Sequence, residues 1–225
     1  YVHVLHSVDD ATSYRLFGID YFDAVLLSGE YQKKAIRELE SKRSLPAKEL
    51  VVVGCSYLDF AREKISLIEK KKNDRITVLV SPSWGKSALL SKYGKKLLDP
   101  LVKENFNIII RPHPQSKKSE QKILEYLQAE YCGYKNVEWD FERDNLSALV
   151  RSDIMISDFS GIIFDYAFLL NKPFLYALQD FNAEIYDSSD LEEEPWKFKA
   201  IKKMGTELTE SMFSSIGTVV FSLVN

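Results

Sequence analysis

Five short strand-like runs, most of their residues apolar, punctuate the chain after residue 75: Ile76–Val80, Asn107–Ile110, Val137–Trp139, Ile154–Ile156 and Pro173–Leu178. Stretches of helical length separate most of them. Strand–helix alternation of this kind commits a chain to a parallel sheet covered on both faces. Ligands of such sheets bind beyond the carboxyl ends of the strands. Polar turns follow several of the runs: Ser81–Gly85, Arg111–Pro114 and Asp158–Gly161. The spacing predicts helices over 89–105, broken near Tyr93-Gly94, over 119–130, over 145–151 with Asp144 or Asn145 as its cap, and over 162–170. The fold class is therefore α/β with a parallel sheet.

Before residue 75 the same grammar appears in weaker form. Val2–Leu5, a strand within Tyr21–Ser28, and Glu49–Val53 read as strands, with a helix over Glu30–Lys42. A further helix, Leu58–Lys72, ends in the basic run Lys70–Lys72 and reads as a connection between two bodies. The expected organisation is an N-terminal part, 1–72, and a C-terminal domain, 73–225. The chain opens in what reads as mid-strand and closes on an apolar run, so it reads as a portion of a longer protein with an incomplete N-terminal lobe. The acidic run Asp190–Glu194 reads as a solvated loop or lid.

Composition removes several classes of function. The chain of 225 residues is 45% apolar and 28% charged with a net charge of −3, so no broad basic field invites nucleic acid. Cys55 and Cys132 are too few for a disulfide framework, and neither they nor the histidines have metal-ligand spacing. No apolar run reaches membrane-spanning length, and Tyr1–His6, without a basic start or a long apolar segment, does not read as a secretory leader. Neither GxGxxG nor GxxxxGK[ST] occurs, and there is no GxSxG elbow.

The turns carry the chemistry. In Arg111-Pro112-His113-Pro114, alternation along an extended segment would put the guanidinium and the imidazole on one side. Arg suits bidentate phosphate recognition and His supplies a donor or a proton; the plain alternative is a strand end with Arg in an ion pair. Asp158-Phe159-Ser160-Gly161 either caps the helix that follows or forms a diphosphate cradle at its N-terminus. Asp165, a carboxylate within that apolar helix, is either ion-paired or turned to a ligand hydroxyl. Ser83 and Trp84 would hold a base or a phosphate, or Trp84 simply lids the core. His6 ends the first strand, either structural or functional, and His3 reads as structural.

SPSW, RPHP and SDFSGIIFDYAFLLNKPFLY, in that order and spacing, resemble the bacterial CDP-glycerol glycerophosphotransferases, the teichoic-acid primases and polymerases. His6 with YFDAVLLSGEYQ and VVVGCSYLD resembles the acceptor-side half of that family, and the likeness covers roughly residues 1–180. Two positions depart from the family pattern: Ser7 follows the first histidine in place of Gly, and Gly161 stands in place of a second Ser. The resemblance implies a GT-B-like fold with two Rossmann-like lobes and a donor-binding C-terminal domain. It implies transfer of a polyol phosphate, glycerol phosphate first, from a CDP-linked donor to a hydroxyl of a lipid-linked or polymer acceptor. His6 and His113 fall at catalytic positions. Ser83, Trp84, Arg111, His113, Ser160, Gly161 and Asp165 fall at donor-binding positions, with Asp158 as turn support. No cofactor or metal is implied. The place of work would be the inner face of the cell membrane, as a peripheral protein. A GT-B glycosyltransferase, a nucleotide-sugar 2-epimerase and a non-catalytic nucleotide-binding module are the alternatives.

Overall fold

A computed structural model describes residues 1–5, 7–9, 11–69, 74–178 and 181–225. Along the chain run β1 (Val2–Val4), β2 (Ala24–Leu27), α1 (Lys33–Lys42), β3 (Glu49–Val52), α2 (Ser56–Ser66), β4 (Thr77–Val80), α3 (Leu89–Lys103) and β5 (Asn107–Ile110). There follow α4 (Ser116–Ser119), α5 (Gln121–Tyr131), β6 (Val137–Trp139), α6 (Leu146–Arg151), β7 (Ile154–Ser157), α7 (Ile162–Leu170) and β8 (Phe174–Tyr176). The last elements are α8 (Trp196–Met204), β9 (Thr206–Glu207) and α9 (Ile216–Val224). The chain divides into one unit of Tyr1–Phe60 with Asn182–Lys203 and another of Ala61–Phe181 with Met204–Asn225. The stretch 182–203 thus groups with the N-terminal unit, whereas the sequence reading kept it in the C-terminal domain.

The first unit is built on a parallel sheet in the order β1-β2-β3. Leu5, Val25 and Leu27 on one face pack with Ile36 and Leu39 of α1 and with Ala11 and Ile19. On the opposite face Val2, Val4, Val51 and Val53 are exposed. Arg43, just past α1, ties in the returning segment through ion pairs to Asp187 at 2.8 Å and Asp190 at 2.6 Å, and reaches Asp20 at 2.7 Å. Of the acidic run, Glu192–Glu194 are exposed while Asp190 is half-buried on Arg43, and the exposed part is paired too: Glu193 meets Lys34 at 2.6 Å and Lys199 at 3.0 Å.

The second unit holds a six-stranded parallel sheet in the order β6-β5-β4-β7-β8-β9. Every residue of β4 and β7 is buried, which explains their uninterrupted apolar runs. Val78, Val80, Ile108, Ile110, Ile154 and Ile156 form one core with Leu97, Leu98 and Leu101 of α3 and Val220 of α9. The predicted break in the long helix is present: Gly94 has φ +34 and ψ −113, outside the helical region. The stretch expected as one helix over 119–130 is two, α4 and α5, parted at Glu120, whose φ of −123 is not helical. The connecting helix ends at Ser66 rather than Lys72, and Lys70–Lys72 lie outside the described residues. Among the described residues no helix is long and apolar enough to cross a membrane.

Counted in chain order within its own sheet, the second unit reads 3-2-1-4-5-6, the order of a doubly wound nucleotide-binding fold. Chain connections leave in opposite directions from β4 and β7. The crevice beyond their carboxyl ends is where such folds bind ligand.

Candidate functional site

The two turns that flank this crevice follow β4 and β7, and one carboxylate joins them. Asp158, 1% exposed, accepts the N–H of Ser83 at 2.8 Å and of its own turn's Ser160 at 3.1 Å through Oδ1. Its Oδ2 accepts the N–H of Leu89, the first residue of α3, at 2.9 Å. Asp158 therefore caps α3 from the neighbouring strand, where the helix dipole favours a negative charge. The sequence placed its capping on the helix that follows it. A second tie lies beneath, where the Ser157 hydroxyl donates to the Ser81 carbonyl at 2.6 Å.

With Asp158 occupied in this way, the N-cap residue of α7, Gly161, provides no side-chain cap; it lies at φ −63 and ψ −19. The Ile163 and Phe164 N–H groups donate to the Ser160 and Gly161 carbonyls at 3.3 and 3.0 Å, so what this terminus offers an anion is the N–H groups of Gly161 and Ile162 and the positive end of the helix dipole. Ser160 and Gly161 are half-buried beside it, and Asp165 lies in the first turn, also half-buried.

The end of β5 contributes from the other side of β4. The sequence predicts Arg111 and His113 on one side; the structure parts them. The strand stops at Ile110, so side-chain alternation no longer governs the residues beyond it. The Arg111 guanidinium turns toward β6, donating to Asp140 at 2.6 Å and to the Glu142 carbonyl at 2.7 Å. Both Arg111 and Asp140 are buried. This pair was missed in the sequence, although Val137-Glu138-Trp139-Asp140 places an acid at the matching strand end, one position past the Ile110–Trp139 pairing.

His113 faces the β4 side instead. Its ring lies 6.2 Å from that of Trp84, and Trp84 remains exposed. His113 Nδ1 accepts the Gln115 N–H at 3.1 Å, which leaves Nε2 to carry the proton of the neutral ring. Burial holds the imidazole below its ordinary range, with Glu120 acting weakly in the opposite sense. A neutral donor thus sits next to an aromatic face.

Ser83, Trp84, His113, Asp158, Ser160 and Gly161 accordingly gather at the carboxyl edge of three adjacent strands, β5, β4 and β7. Arg111 belongs to the same edge but is turned away from Trp84. His6 lies outside the described residues. His3, read as structural, packs its ring against Tyr14 and Phe22. Among the described residues no group of three or more His, Cys, Asp and Glu side chains is arranged to hold a metal ion.

The profile of the CDP-Glycerol:Poly(glycerophosphate) glycerophosphotransferase family matches residues 58–212, and the chain belongs to that family. The minor teichoic acid biosynthesis protein GgaB of Bacillus subtilis (strain 168) is 25% identical over 155 residues, covering 64% of this chain and 15% of GgaB. The chain thus spans a small part of that relative's length. Among solved structures, the wall teichoic acid polymerase TagF soaked with CDPG aligns with a TM-score of 0.51 at 18% identity, covering 91% of this chain and 49% of that one. The UDP-GlcNAc 2-epimerase of Methanocaldococcus jannaschii, in complex with UDP-GlcNAc and UDP, aligns at 0.58 and 13% identity, covering 90% and 54%. The fold shared with these enzymes is the Rossmann-like α/β arrangement with parallel sheets.

Proposed function

We propose that this chain carries the donor site of a transferase that moves glycerol phosphate from CDP-glycerol to a hydroxyl of a polymer or lipid-linked acceptor, in the synthesis of teichoic acid or a related polymer. The observation that carries this reading is the Asp158 carboxylate, which fixes the Ser83–Trp84 turn against the uncapped start of α7. Donors for a diphosphate and an aromatic surface for a base are thereby held together at the β4/β7 crevice. Family membership supports CDP-glycerol as the donor; CDP-ribitol would fit the same pyrophosphate chemistry.

In the proposed reaction the acceptor oxygen attacks the phosphorus bearing glycerol. The bond from that phosphorus to the bridging oxygen breaks, and CMP leaves with the electron pair. His6 takes the acceptor's proton, as a neutral imidazole near neutral pH can. Charge building on CMP meets the Nε2–H of His113, the Ser160 hydroxyl and the N–H groups of Gly161 and Ile162 at the start of α7. Trp84 faces the cytosine, and Asp165 a donor hydroxyl. Arg111 serves the donor site by anchoring the end of β5 to Asp140. With a lipid-linked acceptor the work takes place at the inner face of the membrane.

The test is release of CMP from CDP-glycerol in the presence of a soluble oligo(glycerol phosphate). Release that requires the oligomer supports the reading; binding without any release leaves a nucleotide-binding module. A second reading, a UDP-sugar enzyme, draws on the fold shared with the 2-epimerase. Thermal stabilisation by UDP-GlcNAc and none by CDP-glycerol would favour it.

A further inference from the structure

Three consecutive residues beyond β6, Asp140-Phe141-Glu142, reach both flanks of His113, and Phe141 among them has no part in the chemistry proposed above. The three close a ring of hydrogen bonds around the Arg111 guanidinium. The Asp140 N–H donates to the Ile110 carbonyl at 2.9 Å. Asp140 Oδ2 accepts from Arg111 at 2.6 Å, and its Oδ1 accepts the Glu142 N–H at 2.9 Å. The Glu142 carbonyl accepts from Arg111 at 2.7 Å. Arg111 and Asp140 are both buried, and a buried polar network with its members satisfied is rigid. Phe141 is the residue carried between its two ends.

Phe141 meets the far flank of His113. Lys117 Nζ lies 4.5 Å from the centroid of the Phe141 ring, a cation on an aromatic face. The Trp139 ring stacks on Phe141 with centroids 6.2 Å apart and planes 11° from parallel. Lys117 belongs to α4, a single tight turn that begins at His113. The His113 carbonyl accepts the Ser116 N–H at 2.9 Å, and the Gln115 carbonyl accepts the Ser119 N–H at 3.1 Å. The imidazole is tied to the same turn by the Gln115 N–H at 3.1 Å. Pro112 and Pro114 restrict the backbone on either side of it. Arg111, two residues before the imidazole, and Lys117, four after it, are thus held by one three-residue turn.

We infer that Phe141 is a positioning residue for His113, holding α4 through Lys117 so that the imidazole N–H meets the departing CMP. This inference rests on the transferase reading and on His113 as a donor to the leaving group. An anchor at Arg111 alone would let the turn pivot about the end of β5. The second anchor removes that freedom at the reacting group, where small misplacements are expensive. The bound nucleotide has other proposed holds, at Trp84 and the start of α7, so its affinity leans less on this contact.

The experiment uses Phe141→Leu, which keeps an apolar side chain and removes the ring face, and Lys117→Met, which keeps the stem and removes the charge. Calorimetry gives the Kd for CDP-glycerol, and CMP release with soluble oligo(glycerol phosphate) gives kcat. Each variant should lower kcat on the order of 5-fold, with Kd within about twofold of the parent. The double variant should lose no more than the worse single one, because both substitutions remove the same contact. In a His113→Ala background, adding Phe141→Leu should cost nothing more, whereas a general weakening of the fold would add its loss there too. Full turnover in either single variant, or an undiminished further loss in the His113→Ala background, overturns the inference while the transferase reading stands. A parent protein that binds CDP-glycerol and releases no CMP overturns the transferase reading, and the inference with it.

Discussion

At the end of β5, two side chains separated by one proline have different environments and different expected phenotypes. Arg111 and Asp140 form a buried pair at 2.6 Å. Arg111→Ala strands a carboxylate away from water and should cost about 3–5 kcal/mol of stability, read as a lowered urea midpoint. A midpoint shift below about 1 kcal/mol would mean that the pair is not buried in solution. His113 behaves differently. Burial holds its folded value below the ordinary 6.5, so on acidification the unfolded chain binds the proton first. Its contribution to stability is therefore present above about pH 6.5 and is lost as the pH falls through the folded value. The melting temperature of the parent should drop more steeply below pH 6.5 than that of His113→Gln; parallel curves would contradict this. His113→Ala should lower CMP release on the order of 10²-fold. The sequence disclosed both side chains but not their directions, because alternation applies only while the strand lasts.

Among the elements, the turns after β4 and β7 behave as one piece because a single carboxylate accepts from both. Asp158→Asn keeps the shape but replaces one acceptor oxygen with an NH₂ that faces an N–H donor. The cost should be about 1–3 kcal/mol, accompanied by a loss of CDP-glycerol affinity on the order of 10-fold. Loss of stability with unchanged affinity would separate Asp158 from the donor site. The strands themselves were legible wherever both faces are buried: Val78–Val80, Ile108–Ile110 and Ile154–Ile156 are each a continuous apolar run. By contrast β9 is two residues, Thr206–Glu207, too short for any periodicity, and it exists only because β8 offers an edge. The Asp158 bridge was equally hidden. Composition says that a buried acid needs donors, and only the strand order brings Ser83 and Leu89 to it.

For the molecule as a whole, the strand order of the second unit places the candidate residues. The series SPSW, RPHP and SDFSG is scattered over 80 positions of sequence and falls on three neighbouring strands of one sheet. The parallel series was readable from spacing. The position of β4 and β7 at the reversal of strand order was not, since it depends on which strands pair. Nor did the sequence anticipate that 182–203 returns to the first unit, because the ion pairs of Arg43 with Asp187 and Asp190 join residues more than 140 positions apart. The central claim is that this edge holds the diphosphate of a CDP-linked donor. The most direct measurement is a crystal structure of the protein soaked with CDP-glycerol. The account predicts density for the diphosphate at the start of α7, within hydrogen-bond reach of Ser160 and Gly161, with His113 Nε2 on a phosphate oxygen and Trp84 against the base. A diphosphate bound elsewhere, away from Ser160 and His113, would contradict it.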